Sequence, residues 1–249
     1  MLYHRTCRAR MDLEAEGADH RMSVPCIVVP LGMIDYMEAW DLQKRLAEEV
    51  KAGHDGWLLV LEHPHSYTFG RAGMAENLKL TPQQLEERDA RVYWVDRGGD
   101  ITYHGPGQLV GYPIVDLHNW SEGPRWFVRA LESALIEAIG TFGIQAEVSE
   151  GRPGVWVGNE KLAAIGLHIS QGVTTHGFAL NVDTDLSYFD HIVSCGLHGA
   201  GVSSISLMTG RHVSMSEAAD AVIAALTKHL DLDVRSGSVE EMMAALPAS

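Results

Sequence analysis

Amphipathic helical patterns and short apolar runs alternate along this chain, and the alternation limits the folds that it can adopt. Residues 34–50 place apolar side chains three and four positions apart, which indicates a helix with one buried face. No internal repeat or linker-like segment interrupts the order, so we predict an α+β fold, a single domain with a mixed β-sheet flanked by helices. Two further helices are predicted at residues 126–142 and 217–230. Strands are predicted at residues 57–61, 92–95, 109–117, 155–157, 162–169 and 178–182.

The two ends of the chain differ from its middle. Residues 1–23 are polar and of mixed charge, with no apolar stretch that could form the core of a signal peptide, and we predict a flexible N-terminal tail there. After Leu230 the chain bears Asp, Ser and Gly, so residues 231–249 are predicted to be a C-terminal tail, in which residues 239–246 could form a short helix. The folded domain is therefore expected at residues 24–230.

The charge of the chain excludes two classes of partner. The 249 residues include 19 Lys and Arg against 33 Asp and Glu, which gives a formal net charge of -14. Such a chain repels the phosphates of nucleic acids and of anionic membrane surfaces. No apolar run reaches the roughly 18 residues that a membrane-spanning helix needs. We expect neither nucleic-acid nor membrane partners.

The three cysteines, Cys7, Cys26 and Cys195, show no paired spacing. This argues against a disulfide framework and favours a reducing, cytoplasmic location. Cys26 lies in an apolar run and is predicted to be buried, while Cys7 lies in the N-terminal tail. Cys195 lies in a polar loop with glycine and histidine, where an accessible thiol of lowered pKa could act as a nucleophile, although a structural role fits equally well.

The least ordinary stretch is residues 97–108, in which four of twelve residues are glycine. Such glycines let the backbone approach a ligand and leave N–H groups free to bind it, although a hairpin loop would also contain them. The stretch matches neither the phosphate-binding GxxxxGK[ST] loop nor the dinucleotide fingerprint. It therefore predicts a ligand loop without predicting a nucleotide.

Lys161 begins a predicted strand whose other members are small or apolar. Partial burial there would lower the pKa of its ammonium group and make it usable as a proton acceptor, although an isolated lysine at a turn is usually solvated. The 13 histidines show no HExxH or paired Cys/His spacing, so we expect no metal.

Four further observations belong together, namely the blocks at residues 97–108, 154–166, 176–182 and 189–196. In this order, the four blocks resemble the lipoyl(octanoyl) transferases, the enzymes that begin protein lipoylation. The resemblance extends from about Val24 to Leu230 and places Lys161 and Cys195 within the matching blocks. One departure is Ser194, where the family pattern has proline.

The resemblance implies a biotin/lipoate ligase-like catalytic fold over residues 24–230 and a Cys195/Lys161 pair. Cys195 would carry an octanoyl group taken from acyl carrier protein, and Lys161 would stabilise the thiolate and exchange protons. The acceptors would be lysines of the lipoyl domains of 2-oxoacid dehydrogenase complexes and of the glycine cleavage H protein. No cofactor is implied, because the phosphopantetheine arm of the carrier protein brings the acyl group.

The resemblance also implies the residues that contact the acyl substrate, in three segments of the chain. They are Arg97, Gly98, Gly99, Asp100, Ile101, Thr102, Tyr103 and His104, then Ala164, Ile165 and Gly166, and finally Gly177, Phe178 and Ala179. Carrier proteins and lipoyl domains are typically acidic, so we also expect a local basic rim, and its candidates are Arg71, Arg97, Arg125 and Arg152.

Three alternatives remain open. An ATP-dependent lipoate-protein ligase would share the fold and the lysine but needs no cysteine nucleophile, so Cys195 favours the transferase. An amidotransferase that moves lipoyl or octanoyl groups between protein domains would keep both residues. A non-catalytic acyl- or biotinyl-binding module would need neither.

Overall fold

The structure is a computed structural model that describes residues 23–193 and 200–246. Nearly all of the predicted N-terminal tail, including Cys7, and also Ser194 and Cys195 lie outside the described residues. The helices in the described part are α1 (Tyr36–Lys51), α2 (Pro82–Glu86), α3 (Pro124–Gly140), α4 (Ile205–Thr209), α5 (Met215–His229) and α6 (Val239–Ala245). The strands are β1 (Val24–Met33), β2 (Gly56–Glu62), β3 (Ser66–Phe69), β4 (Arg91–Trp94), β5 (Ile101–His104), β6 (Gln108–Ile114), β7 (Glu147–Ser149), β8 (Arg152–Val157), β9 (Glu160–Ser170), β10 (Val173–Asn181), β11 (Gly201–Val202) and β12 (Leu232–Ser236).

Nine of these strands form one mixed sheet. Their order is β12-β1-β2-β6-β10-β9-β8-β7, with β11 beside β9. Strands β12, β1 and β2 run parallel to one another, and each later pair along the order is antiparallel. The short β11 runs parallel to β9 and sets Val202 opposite Lys161.

Apolar side chains alternate between the two faces of this sheet, as the pleat of a strand requires. In β1, Cys26 and Val28 pack in the core that contains α3 and α5, whereas Ile27 and Val29 pack in the core that contains α1 and α6. The sheet is therefore covered by helices on both faces, and the predicted α+β class is confirmed. Burial raises the pKa of the Cys26 thiol to about 12, as suits the buried structural residue predicted from the sequence.

Side-chain caps fix where the helices begin. The Asp35 carboxylate accepts a hydrogen bond from the Met37 N–H at 2.9 Å at the start of α1. At the start of α5, Ser214 and Glu217 form a reciprocal capping box. These caps satisfy N–H groups that have no partner within the helix.

A second, smaller sheet has the order β4-β3-β5. Its own core includes Tyr67, Phe69, Ile101 and Tyr103. Strands β3 and β5 were not predicted from the sequence, because polar residues interrupt both and β5 lies within the glycine-rich segment.

The chain after Leu230 differs from the predicted tail. Residues Leu232–Ser236 form β12, which pairs with β1 and buries Leu232. Helix α6 follows and buries Met242 completely. The segment is short and polar at alternate positions because it forms the edge of the sheet, which explains its resemblance to a tail in the sequence.

Candidate functional site

Two adjoining cavities open beside β9 and β10, and they share Arg97, Thr102, Ala164, Ile165 and Ala179. We call the first the Lys161 cavity. It measures about 770 Å³, and its other lining residues are Gly98, Gly99, Asp100, Ile101, Gln108, Pro153, Lys161, Asn181, Phe189 and Val202. We call the second the His176 cavity. It measures about 380 Å³, and its other lining residues are Tyr36, His104, Tyr112, Gly166, His176, Gly177 and Phe178.

The structure brings all three predicted substrate segments to these cavities. Residues Ala164, Ile165 and Gly166 lie on β9, and their register partners Ala179, Phe178 and Gly177 lie on the neighbouring strand β10. The glycine-rich segment reaches both strands from the small sheet, and the Gly98 N–H donates to the Leu167 carbonyl at 2.9 Å.

Tyr103 is the one predicted substrate residue that lines neither cavity. Strand alternation turns it away from Thr102 and His104, and its fully buried ring packs in the core of the small sheet. Its hydroxyl donates to His65 Nδ1 at 2.7 Å or accepts from it, and its ring stacks on Tyr188 at 4.8 Å between centroids. Tyr103 therefore supports the strand from behind.

Lys161 lies half-buried at the wall of the larger cavity. Burial, and then the charge of Arg152, lower the pKa of its ammonium from 10.5 to about 8. Its Nζ lies 4.8 Å from the centroid of the Trp156 ring. A lysine with such a pKa is still mostly protonated at neutral pH but gives up its proton readily, which suits repeated proton transfer.

Cys195, the predicted nucleophile, lies outside the described residues. At the last described residue before Cys195, the Val193 N–H donates to the Asn77 carbonyl at 2.8 Å. Where the described chain resumes after Cys195, β11 pairs with β9 at Lys161, and the Ser203 N–H donates to the Lys161 carbonyl at 3.0 Å.

Arg97 is a buried connector between the small sheet and the cavities. Only 8% of its surface is exposed. Its Nη2 donates to the Thr68 carbonyl and hydroxyl at 2.5 and 2.9 Å, and its Nη1 donates to the Gly98 carbonyl at 2.9 Å. Burial lowers the pKa of its guanidinium.

The predicted basic rim needs a correction at this residue. Arg97 cannot contact a protein partner at the surface, because it is buried and its guanidinium donates its hydrogen bonds to backbone and hydroxyl oxygens inside the protein. Arg71 and Arg125 are exposed and Arg152 is half-buried, so these three remain candidates for the rim.

His104 belongs to a buried hydrogen-bond chain. The Gln108 amide donates to Asn181 Oδ1 at 2.9 Å, so Gln108 Oε1 is left to accept from His104 Nδ1 at 2.8 Å. His104 Nε2 then accepts from the Thr68 hydroxyl at 3.4 Å. Burial holds the pKa of His104 well below its ordinary value, so the ring is neutral.

His63 is fixed in the same way under the His176 cavity. Its Nδ1 donates to the Ile34 carbonyl at 2.8 Å, so its Nε2 accepts from the Tyr112 hydroxyl at 2.7 Å. Burial lowers the pKa of His63 to about 4. His104 and Tyr112 line the cavity, and His63 contacts both of them from outside it.

His176 adopts a left-handed backbone conformation, with φ of 58° in the middle of β10. Its N–H donates to Gln43 Oε1 at 2.6 Å, and its Nε2 donates to the Asp96 carboxylate at 2.8 Å. Burial lowers the pKa of the ring, although Asp96 opposes this. These two bonds hold a strained residue directly before Gly177 in the cavity wall.

Several cavity residues were not singled out from the sequence. Tyr36 reaches the cavity from α1, where its position on the apolar face of a helix predicts only burial. Tyr112 and Asn181 lie on predicted strands whose apolar sequences indicate only packing in the core. The single available signal was the position of Asn181 within the block at residues 176–182.

Two kinds of feature are absent from the part of the chain that the structure describes. Among residues 23–193 and 200–246, no group of three or more His, Cys, Asp or Glu side chains could hold a metal ion. Within the same residues, none of the helices combines the length and the apolar character that crossing a membrane requires.

Comparison with known proteins finds one family and relatives that share one name. The family described as the lipoyl protein ligase A/B catalytic domain matches residues 35–227. A protein named octanoyltransferase from Solibacter usitatus is 46% identical over 214 residues, which cover 86% of this chain and 96% of that protein. Another octanoyltransferase, from Chloroflexus aggregans, is 46% identical over 209 residues, which cover 82% of this chain and 95% of that protein.

The fold recurs in solved structures of lower sequence identity. A bipartite lipoate protein ligase from Thermoplasma acidophilum, studied with its E2 lipoyl domain, matches with a TM-score of 0.70 at 18% identity. The match covers 89% of this chain and 90% of that chain. At this identity the likeness concerns the fold.

Proposed function

We propose that this chain moves an octanoyl group from acyl carrier protein to a lysine of a lipoyl domain. The premise is that the chain belongs to the lipoyl protein ligase A/B catalytic-domain family and is an acyltransferase, like its octanoyltransferase relatives. The observation that carries the proposal is that the three predicted substrate segments line two adjoining cavities, one of which Lys161 also lines. The proposed acceptors are the lipoyl domains of 2-oxoacid dehydrogenase complexes and the glycine cleavage H protein.

In the first half-reaction, Lys161 in its neutral form takes the proton of the Cys195 thiol, and the resulting thiolate attacks the thioester carbonyl of the donor. The bond between the acyl carbon and the phosphopantetheine sulfur breaks. The Lys161 ammonium returns the proton to the departing thiolate, which leaves as the free carrier thiol. The product is an octanoyl thioester on Cys195.

In the second half-reaction, the amine of the acceptor lysine attacks this thioester. The new C–N bond forms as the bond to Cys195 sulfur breaks, and Lys161 passes a proton from the attacking amine to the cysteine. The net change is thioester to amide, which is downhill. The proposal therefore includes neither ATP nor a cofactor beyond the phosphopantetheine of the donor.

The cavity walls suit the acyl chain. Ala164, Ile165 and Ala179 offer apolar surface in both cavities, and Phe178 adds an aromatic ring in the His176 cavity. Each methylene buried there contributes about 0.8 kcal/mol to binding. The reaction also requires a free thiol at Cys195, which supports a reducing, cytoplasmic setting.

The test is to mix the purified protein with octanoyl carrier thioester in the absence of ATP and to measure its intact mass. We expect the mass of one octanoyl group to be added to the wild-type chain and none to Cys195→Ser. Addition of a lipoyl domain should then move that mass to the domain. An unmodified wild-type chain beside an intact donor would refute the proposal, and acyl transfer that starts only with free octanoate and ATP would support the ligase alternative instead.

A further inference from the structure

Next to Lys161, one aromatic ring lies against two cations. The Nζ of Lys161 lies 4.8 Å from the centroid of Trp156, and the Cζ of Arg152 lies 4.3 Å from it. The ring itself is completely buried. Both distances are within the range of a cation–π interaction.

Arg152 is held in place at this ring. Its Nε donates to the Ser149 hydroxyl at 2.8 Å, and its Nη1 donates to Asn159 Oδ1 at 3.0 Å. The Trp156 Nε1–H donates to the Arg152 carbonyl at 3.1 Å, which fixes the ring relative to the arginine backbone. A fixed cation therefore lies near Lys161 permanently, and no ligand is needed to bring it there.

Other charged groups face this pair of cations from neighbouring elements, and Glu147 on β7 is the register partner of Trp156. Arg97 and Asp100, from the glycine-rich segment, line the Lys161 cavity. The neighbouring strands and the turn before Val193 contribute Gln108, Asn181, Val202 and Phe189, which are uncharged. Glu160 precedes Lys161 on β9, and its side chain lies against Gly201.

We propose that Arg152 and Trp156 are positioning residues that set the proton affinity of Lys161 in opposite directions, Arg152 decreasing it and Trp156 increasing it. Arg152 acts by repulsion between two positive charges in a poorly solvated place. Trp156 acts through the negative face of its ring, which attracts the ammonium form of lysine. The importance of this balance for acyl transfer rests on the proposed function, whereas the balance itself does not.

In this proposal Arg152 adds to the effect of burial on Lys161, and Trp156 opposes both. Burial is the largest cause of its lowered pKa, and Arg152 is the second. Without the ring, these two causes would act unopposed and would leave less ammonium to stabilise a thiolate. Without the arginine, the lysine would hold its proton more firmly, and less of it would be in the neutral form that accepts a proton.

Competitive acetylation tests the proposal without any acyl transfer. The full-length protein is treated with trace acetic anhydride across a pH range of about 6 to 11, and the labelling of each lysine is followed by peptide mass spectrometry, because only the neutral amine reacts. The variants are Arg152→Met, Arg152→Lys and Trp156→Phe. Lys44 and Lys228 are exposed and serve as internal references.

We expect Arg152→Met to shift the half-labelling pH of Lys161 upward by about half a unit, and Trp156→Phe, with its weaker ring quadrupole, to shift it downward by a few tenths. Arg152→Lys should restore most of the wild-type value. Shifts of the same sign in Arg152→Met and Trp156→Phe, or no shift in Arg152→Met, would overturn the proposal. Failure of the octanoyl-adduct test would leave this result unaffected, so the two proposals fail separately.

Discussion

Lys161 combines two properties that surface lysines rarely share. It is half-buried, which disfavours its charge, and it lies on a cavity whose walls accept an acyl chain. Its pKa of about 8 means that both protonation states are accessible near neutral pH. A group of this kind can accept and return a proton within one catalytic cycle.

Replacement of Lys161 by alanine should slow acylation of Cys195 most strongly at neutral pH. The loss removes the proton acceptor and the neighbouring positive charge, so the thiolate fraction falls, and raising the pH above about 9 should restore part of the rate by ionising the thiol directly. The measurement is the rate of adduct formation as a function of pH. An equal loss at every pH would indicate that Lys161 has a structural role instead.

At the residue scale, the sequence predicts the chemical properties of a side chain better than it predicts the side of the strand from which that side chain projects. The lowered pKa of Lys161 follows from the small and apolar residues around it in the sequence. The opposite orientations of Thr102 and Tyr103 follow only from β5, which the sequence does not reveal. Gln43 gives no signal at all, since its role is to bond a strained residue that is 133 positions away.

At the scale of elements, the approach of β10 to β6 shapes the cavity wall. Gly177 lies so close to β6 that a Cβ atom there would be 2.1 Å from the Gly111 carbonyl oxygen and 2.7 Å from Pro113 Cδ. Neither atom belongs to a flexible side chain end. The wall therefore depends on the absence of a side chain at this position.

Gly177→Ala should destabilise the protein by about 2 kcal/mol or more, because β10 must move away from β6 to admit a methyl group. The matched control is Gly140→Ala at the end of α3, where a Cβ atom would meet nothing within 4 Å. We expect this control to change the unfolding free energy by less than about 1 kcal/mol. Urea unfolding measures both, and equal midpoints for the two variants would contradict the expected strand contact.

Element prediction succeeds where an apolar pattern is long or unbroken. The helix predicted at residues 126–142 corresponds to α3 (Pro124–Gly140) and has a repeated apolar face, whereas the strand predicted at residues 57–61 corresponds to β2 (Gly56–Glu62) and is an unbroken apolar run. The strands β3 and β5 and the edge strand β12 were missed because polar residues interrupt each of them, and only pairing with a distant strand makes them regular.

At the scale of the whole molecule, the segment after Leu230 completes both the sheet and one of its cores. Strand β12 covers the edge of β1, while Met242 and Leu246 close the core beneath α1. The predicted domain boundary at residue 230 would remove all of these contacts. These contacts join β12 and α6 to the sheet and to the core beneath α1.

A chain that ends at Leu230 should be much less stable than the full chain. It loses the burial of Leu232, Met242 and Leu246, each contributing roughly 1.5 to 3 kcal/mol, which is comparable to the total stability of a typical domain. It also exposes the edge of β1 to aggregation. Thermal unfolding followed by circular dichroism is the measurement, and a chain that ends at Leu246 is the control. A similar melting temperature for the two shortened chains would show that β12 and α6 are dispensable.

The pairing of β1 with β12 also leads us to expect a particular order of folding. Ser23 and Asp231 bond at 3.0 Å although 208 positions separate them in the sequence. Such a contact has high contact order, and the entropy of closing so long a loop is lost before the pairing returns any free energy. Pairing of β1 with β2, together with the collapse of α1 onto them, involves much shorter loops. We therefore expect β1, α1 and β2 to associate early, and β12 to dock late, as the step that completes the edge of the sheet.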